Sequence, residues 1–250
     1  MAPRIYAPAM GDAPADDYLR TRAALHRVAT HVIARRRFDV SGRFGLRASP
    51  GGIAAPAYGT SPETLRTAGL RLVREVAGDA HHTCMVGATL RDLATFAGVD
   101  LDAEFSVGAD TPAVGDPDTA LDLDPAAVQI ITDWYALGWR VLDTAVTRLG
   151  AAAAPATVQL WPEHMDAATN VGIPSGSRVN LGFSPGDEFE AEAYLYLGPW
   201  GPERPGDPTF WNAPFGAVLR RDAVVTSPDP VLACVEFIEI GIDLLSAAST

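Results

Sequence analysis

A helical stretch, a strand, a Ser-Pro-Gly turn, a further strand and a closing helix follow one another twice along this 250-residue chain, and that order limits the folds open to it. In the first pass Leu19, Ala23, Leu25, Val28, Ala29, Val32 and Ile33 recur at near-helical spacing between Asp17 and Arg37, with arginines largely outside. In the second, Val128, Ile131, Trp134 or Tyr135, Leu142, Ala145 and Val146 do the same between Pro125 and Leu149. Asp124 stands there as N-cap, Pro125 in the first turn and Gly150 as the stop. The turns share one register, with Arg43, Leu46, Ser49, Pro50 and Gly51 set against Arg178, Leu181, Ser184, Pro185 and Gly186. A repeat of this kind predicts an α+β fold of two pseudo-repeated halves, each with mostly antiparallel strands packed by helices, and a ligand cleft between the two sheets. On this reading residues 1–16 are a flexible arm, 17–100 the first half, 101–124 an acidic connector and 125–250 the second half.

Other elements follow from local chemistry. Residues 42–47 alternate like a strand before the turn at Ser49-Pro50-Gly51. Residues 69–76 and 81–86 read as strands joined at Gly78-Asp79, and Thr89 with Asp92 caps a helix that stops at Gly98. The connector carries acids, breakers and no bases. Its Asp116, Asp118, Asp122 and Asp124 lack the glycine and terminal glutamate spacing of a calcium loop, which leaves a solvated linker. Residues 157–161 and 188–197 read as strands, and Asp229-Pro230 opens a last helix.

A formal charge of −12 would repel a phosphate backbone, so nucleic acid is not an expected partner, and the Arg35-Arg36-Arg37 run reads as a solvated helix end. No apolar run reaches the ~20 residues that span a bilayer, and the N-terminus lacks a basic stretch followed by an apolar one, so a cytoplasmic protein with no membrane partner is expected. Cys84 and Cys234 are expected as thiols rather than a bridge. His26 and His31, five positions apart, do not share a helix face, and the pair His82 and Cys84 on one strand face falls short of a zinc site.

Chemistry concentrates between Gln159 and Trp200. Pro162 turns the chain after Leu160-Trp161, and Glu163, His164 and Asp166 then cluster as a histidine between carboxylates. Such a group can be a general base with an orienting acid, with Glu163, His164 and Asp166 catalytic. It can equally be one ligand of a divalent metal, with His164 joined by Asp187 and Glu188 after the tight turn. The bland alternative is that Glu163 and Asp166 cap a short helix. Beyond, Phe189, Ala191, Ala193, Leu195 and Leu197 would face a core, and Glu188, Glu190, Glu192, Tyr194 and Tyr196 the other way. Glu190 fits a pocket or an exposed face. Trp161, Asn180, Glu192, Tyr194 and Trp200 are the expected ligand-binding groups.

The runs W-P-E-H-M-D, N-L-G-F-S-P-G-D-E, A-Y-L-Y-L-G-P-W and F-G-A-V-L resemble a bacterial, actinobacterial-type domain family of unknown function, over residues 157–248. Met165 stands where that pattern has phenylalanine. The resemblance implies where the site lies and brings no activity, cofactor or catalytic residue with it. The expected function is small-molecule binding around residues 159–200, with metal-assisted hydrolysis as its enzymatic form. The competing reading is a non-catalytic structural or protein-interaction module whose aromatic residues are core and interface, and no nucleophile elbow, phosphate loop, dinucleotide fingerprint or H-E-x-x-H is present to settle between them.

Overall fold

The first helical stretch is longer than its spacing predicts and changes pitch midway. In a computed structural model describing residues 13–174 and 176–247, α1 (Ala15–Val28) runs into a π-helical segment, Ala29–Ala34, and on into α2 (Arg35–Ser41). The expected flexible arm lies mostly outside the described residues, and Ala15 and Asp16 are already helical. Every residue of the π segment is buried, and the extra residue per turn rotates the face that follows it. The arginine run is therefore not a solvated end. Arg35 is buried, bonds Asp39 at 2.8 Å and lies 4.9 Å from the Phe105 ring centroid, and Arg37 donates to the Gly45 carbonyl. Arg36 meets Glu63 at 2.9 Å, as does Arg74. Burial alone would raise the Glu63 carboxyl, but the two guanidinium groups outweigh it and hold it below its ordinary value.

The first sheet comprises β1 (Arg47–Ser49), β2 (Gly52–Ala54), β3 (Glu63–Ala68), β4 (Arg71–Val76) and β5 (Asp79–Cys84), antiparallel in that order. Gly51 supplies the left-handed position of the Pro50-Gly51 turn, with φ of 82°. α3 (Leu90–Ala97) carries the expected capping box between Thr89 and Asp92 and ends at Gly98. Residues 101–124 form no helix or strand, yet they are strapped to the first helix. Arg27 bonds the Val114 and Asp116 carbonyls at 2.7 and 2.6 Å, the His31 ring bonds the Pro112 carbonyl at 2.8 Å, and Leu121 and Leu123 are buried.

α4 (Pro125–Leu149) has the limits and the Asp124 cap that its sequence dictates. The second sheet follows: β6 (Gln159–Trp161), β7 (Asp166–Gly172), β8 (Arg178–Ser184), β9 (Tyr194–Pro199) and β10 (Ala217–Arg220), again antiparallel in chain order. α5 (Arg221–Val225) and α6 (Pro230–Ala247) close the chain. The fold is thus α+β, with two similar five-stranded halves. The Ser-Pro-Gly turns are not equivalent, however: one joins the first two strands of its sheet, the other leaves the third strand of its own. Strand order pairs β1 with β6.

The sheets meet edge to edge through one antiparallel bridge, in which Leu46 and Leu160 exchange N–H···O bonds of 2.8 Å each. Beneath that seam α4 packs on β1 and β2 of one sheet and β7 and β8 of the other, and α6 covers β9 and β10. One apolar core runs through both halves. Among the described residues no helix is long and apolar enough to cross a membrane, and both cysteines are free thiols.

α4 lies close to β8 because Gly138 has no side chain: a Cβ there would stand 2.6 Å from Cγ of the buried Phe183 ring. Gly138→Ala gains helix propensity but overpacks this contact, so it should lower the unfolding free energy by about 1–3 kcal/mol in urea titration. A neutral or stabilising result would mean that the helix and sheet are less tightly seated than this.

Candidate functional site

Strand pairing sorts the second sheet into two faces. Leu160, Ala167, Thr169, Leu181, Phe183, Leu195, Leu197 and Ala217 lie on the face covered by α4 and α6. Trp161, Asp166, Asn180, Ser184, Tyr194 and Tyr196 share the opposite face, by the pairs Trp161↔Asp166, Gly182↔Tyr196 and Ser184↔Tyr194. Gly182 matters here because a Cβ would run into the Tyr196 ring. Its absence lets that ring lie across β8 and carry its hydroxyl to Asp166 on β7.

The loops at the end of this face are gripped from below. His26 Nε2 and Thr30 Oγ1 both bond the Pro162 carbonyl, at 2.8 and 2.7 Å, which sets the His26 tautomer with the proton on Nε2. Tyr135 donates to the Met165 carbonyl, holding that residue at φ of 55°. Trp134 Nε1 donates to the Ser184 carbonyl at 2.8 Å, and Tyr18 donates to the Pro185 carbonyl at 2.6 Å. Residues 162–165 are accordingly a tight turn between β6 and β7, not a capped helix.

The loop after β8 also departs from the strand expected over 188–197. Asp187 Oδ1 accepts the Phe189 and Glu190 amides at 2.9 and 3.1 Å, and the Asp187 amide bonds the Glu190 carbonyl at 2.8 Å. This carboxylate-closed turn competes with strand pairing, so β9 starts only at Tyr194. Glu190 is tied to Arg220 at 2.6 Å. Glu192, an expected ligand-binding residue, is exposed on the far side of the loop beside Tyr18 and Arg221 and does not line the site.

Between these loops lies a groove of about 390 Å³ on the outer face of the second sheet, not between the sheets. His164, Asp166, Asn180, Ser184, Asp187, Tyr194, Tyr196, Trp200 and Phe215 contribute to its walls. Tyr194 gives its hydroxyl hydrogen bond to Asp187, as Tyr196 does to Asp166. Burial raises both phenols above the ordinary value and their carboxylate partners raise them further, so each hydroxyl stays protonated and donating. Phe189, Tyr194, Tyr196 and Phe215 pack in a closed circuit with centroid separations of 5.1–6.3 Å. Trp200 is 62% exposed at the rim, its indole held by Asn180 Oδ1 at 2.8 Å.

Asp166 is the unusual group. It is only 7% exposed, and while Oδ2 receives the Tyr196 hydroxyl, Oδ1 has no partner among the other described residues. Burial raises its carboxyl above the ordinary value, and the Tyr196 hydrogen bond and the charge of His164 oppose this only in part.

Of the expected residues, the structure brings Trp161, His164, Asp166, Asn180, Asp187, Tyr194 and Trp200 around the groove and a smaller adjoining hollow that Trp161 lines. The expected catalytic trio is divided. Glu163 lines a separate cleft with Arg22, His26 and Asp110, Asp166 lines the groove, and His164 stands 57% exposed on the ridge between them. The ion-pair partner of His164 is Asp110 at 3.7 Å; among the described residues neither Glu163 nor Asp166 comes that close. The metal set of His164, Asp187 and Glu188 does not form either. No group of three or more His, Cys, Asp or Glu among the described residues could hold a metal ion. Asp187 is spent on Tyr194 and backbone amides, and Glu188 is exposed beyond the turn. Tyr196, Ser184 and Phe215 were not singled out. Alternation with Tyr194 marked Tyr196, but Ser184 read only as turn chemistry and Phe215 arrives from a loop with no signal of its own.

A carboxyl raised by burial binds its proton more tightly folded than unfolded. That stabilisation is complete below the unfolded value near about pH 4 and is lost as pH rises through the folded value. Asp166→Asn cannot titrate. Its stability relative to the native protein should therefore increase from about pH 4 to pH 7 in urea unfolding, whereas a pH-independent difference would show that Asp166 is ionised without strain.

Neither a family model, a curated protein nor a solved structure matches this chain.

Proposed function

We propose that this protein binds a small organic molecule in the groove on the outer face of its second sheet. One observation carries the reading: Asp166 is buried beneath the groove with one carboxylate oxygen satisfied by Tyr196 and the other without a partner among the other described residues. A buried acceptor left alone costs about 1–3 kcal/mol, more when charged, and a fold retains such a group where something else completes it. The surroundings suit a ligand. The volume falls in the ordinary range for small-molecule sites, aromatic rings form part of the walls, and polar groups converge on the same hollow. The helix-borne grips on Pro162, Met165, Ser184 and Pro185 make the rim rigid before any ligand arrives.

The exposed Trp200, with Phe215 and Phe189 nearby, favours a second reading, in which this face docks another protein. Gly198 separates the two. It lies in the groove with ordinary backbone, and an added Cβ would meet only the Phe215 carbonyl oxygen at 3.8 Å and Asn180 Cβ at 3.9 Å. The backbone therefore accepts a Cβ here, and Gly198→Leu should put its side chain into the groove, with an unchanged urea midpoint showing that the fold is kept. A ligand-observed NMR screen of a small-molecule library should yield compounds that bind the native protein saturably and lose at least about tenfold in affinity to Gly198→Leu. A library with no such compound would move the assignment to the docking reading.

A further inference from the structure

The lining of the groove has a marked imbalance. It holds the carboxylates of Asp166 and Asp187, a single histidine at the rim, and no arginine, although every one of the chain's 19 basic residues is an arginine. Hydrogen-bond donors are short as well, apart from the amide of Asn180 and the ring of His164, both exposed residues. The tyrosine hydroxyls that reach the groove are committed to the two carboxylates, and the Trp200 indole is committed to Asn180. The buried polar atom left over, Asp166 Oδ1, is an acceptor. A ligand that completes the site must therefore bring a donor to that oxygen. An anion would meet two carboxylates with no guanidinium to answer it.

The rings extend the argument. Tyr194, Tyr196 and Phe215 border the groove, and the negative faces of aromatic rings attract a cation within about 6 Å of their centroids. A hydroxyl could satisfy Asp166 Oδ1 but would leave the carboxylate charge and the ring faces uncompensated. An ammonium group answers all three at once. We propose that the groove receives a protonated organic amine, with its N–H set on Asp166 Oδ1 and its carbon skeleton against Tyr194, Tyr196 and Phe215. This rests on the small-molecule reading above and names the chemical class for it. Trp200 already has Arg178 6.0 Å from its ring centroid, so it serves the ligand as a wall and the experimenter as a reporter.

The test is a charge series of one shape: benzylamine, benzyl alcohol and benzoate, followed by tryptophan fluorescence and saturation-transfer NMR on the full chain. Benzylamine should bind saturably and at least about tenfold more tightly than benzyl alcohol, with benzoate weaker still. Asp166→Asn should cost benzylamine about tenfold or more while changing benzyl alcohol by less than about threefold. Equal binding of the amine and the alcohol would overturn the amine assignment and leave the small-molecule reading in place. Unchanged benzylamine binding in Asp166→Asn would overturn it as well. Failure of all three probes up to about 10 mM, together with an empty library screen, would instead remove the small-molecule reading itself. The charge series on the native protein decides the amine assignment even if Asp166→Asn does not fold.

Discussion

Side chains buried in the first and fourth helices donate to the main-chain carbonyls of Pro162, Met165, Ser184 and Pro185, and the shape of the groove follows from those bonds. Each is worth only about 0.5–1.5 kcal/mol net, but a buried carbonyl left without a donor costs about 1–3 kcal/mol, so the loops have one arrangement that satisfies them and no cheap alternative. The left-handed Met165, a conformation that β-carbon sterics disfavour, persists because Tyr135 and the Pro162 anchors determine the turn from both ends. A helix from the first half thus shapes a site made of residues from the second. Thr30, four residues on from His26, lies on the same helix face and so reaches the same carbonyl.

Two buried carboxylates in this molecule meet opposite fates. Glu63 has both oxygens taken by guanidinium groups of Arg36 and Arg74 and is held below its ordinary pKa, which makes it part of the scaffold. Asp166 has a phenol on one oxygen, no partner from the other described residues on the second, and a raised carboxyl. Similar burial with different partners separates a structural ion pair from a group left able to interact. The difference depends on geometry as small as the missing side chain of Gly182, which lets the Tyr196 ring cross the sheet.

Much of this was legible in the sequence, and the failures have physical causes. Local chemistry fixes α4 and α3: an Asp124 cap with Pro125, a Thr89–Asp92 box with Gly98, and a clean 3.6-residue period. The π segment broke that period, so the buried positions of His31 and Arg35 could not be read from spacing. β7, reading D-A-A-T-N-V-G, has little strand propensity and owes its form to the neighbours on both sides. Residues 188–193 have the opposite problem, since their alternation is real but Asp187 closes a turn first. Most of the site residues were visible because hairpins place sequence neighbours on one face. Their grouping into a catalytic trio was not, because the Pro162–Met165 turn sends Glu163 and Asp166 into separate hollows.

The Leu46–Leu160 bridge has a further consequence. An antiparallel bridge between like residues has a local twofold axis, the same geometry by which two identical subunits join their sheet edges in a symmetric dimer. Here both edges belong to one chain, and the strapped segment between α3 and α4 keeps them at high effective concentration. In a homodimer every substitution appears twice, so a half-satisfied carboxylate would weaken both copies. A single chain escapes that rule: one half can keep its buried carboxylate locked between two arginines, while the other holds a buried carboxylate on a tyrosine hydroxyl alone.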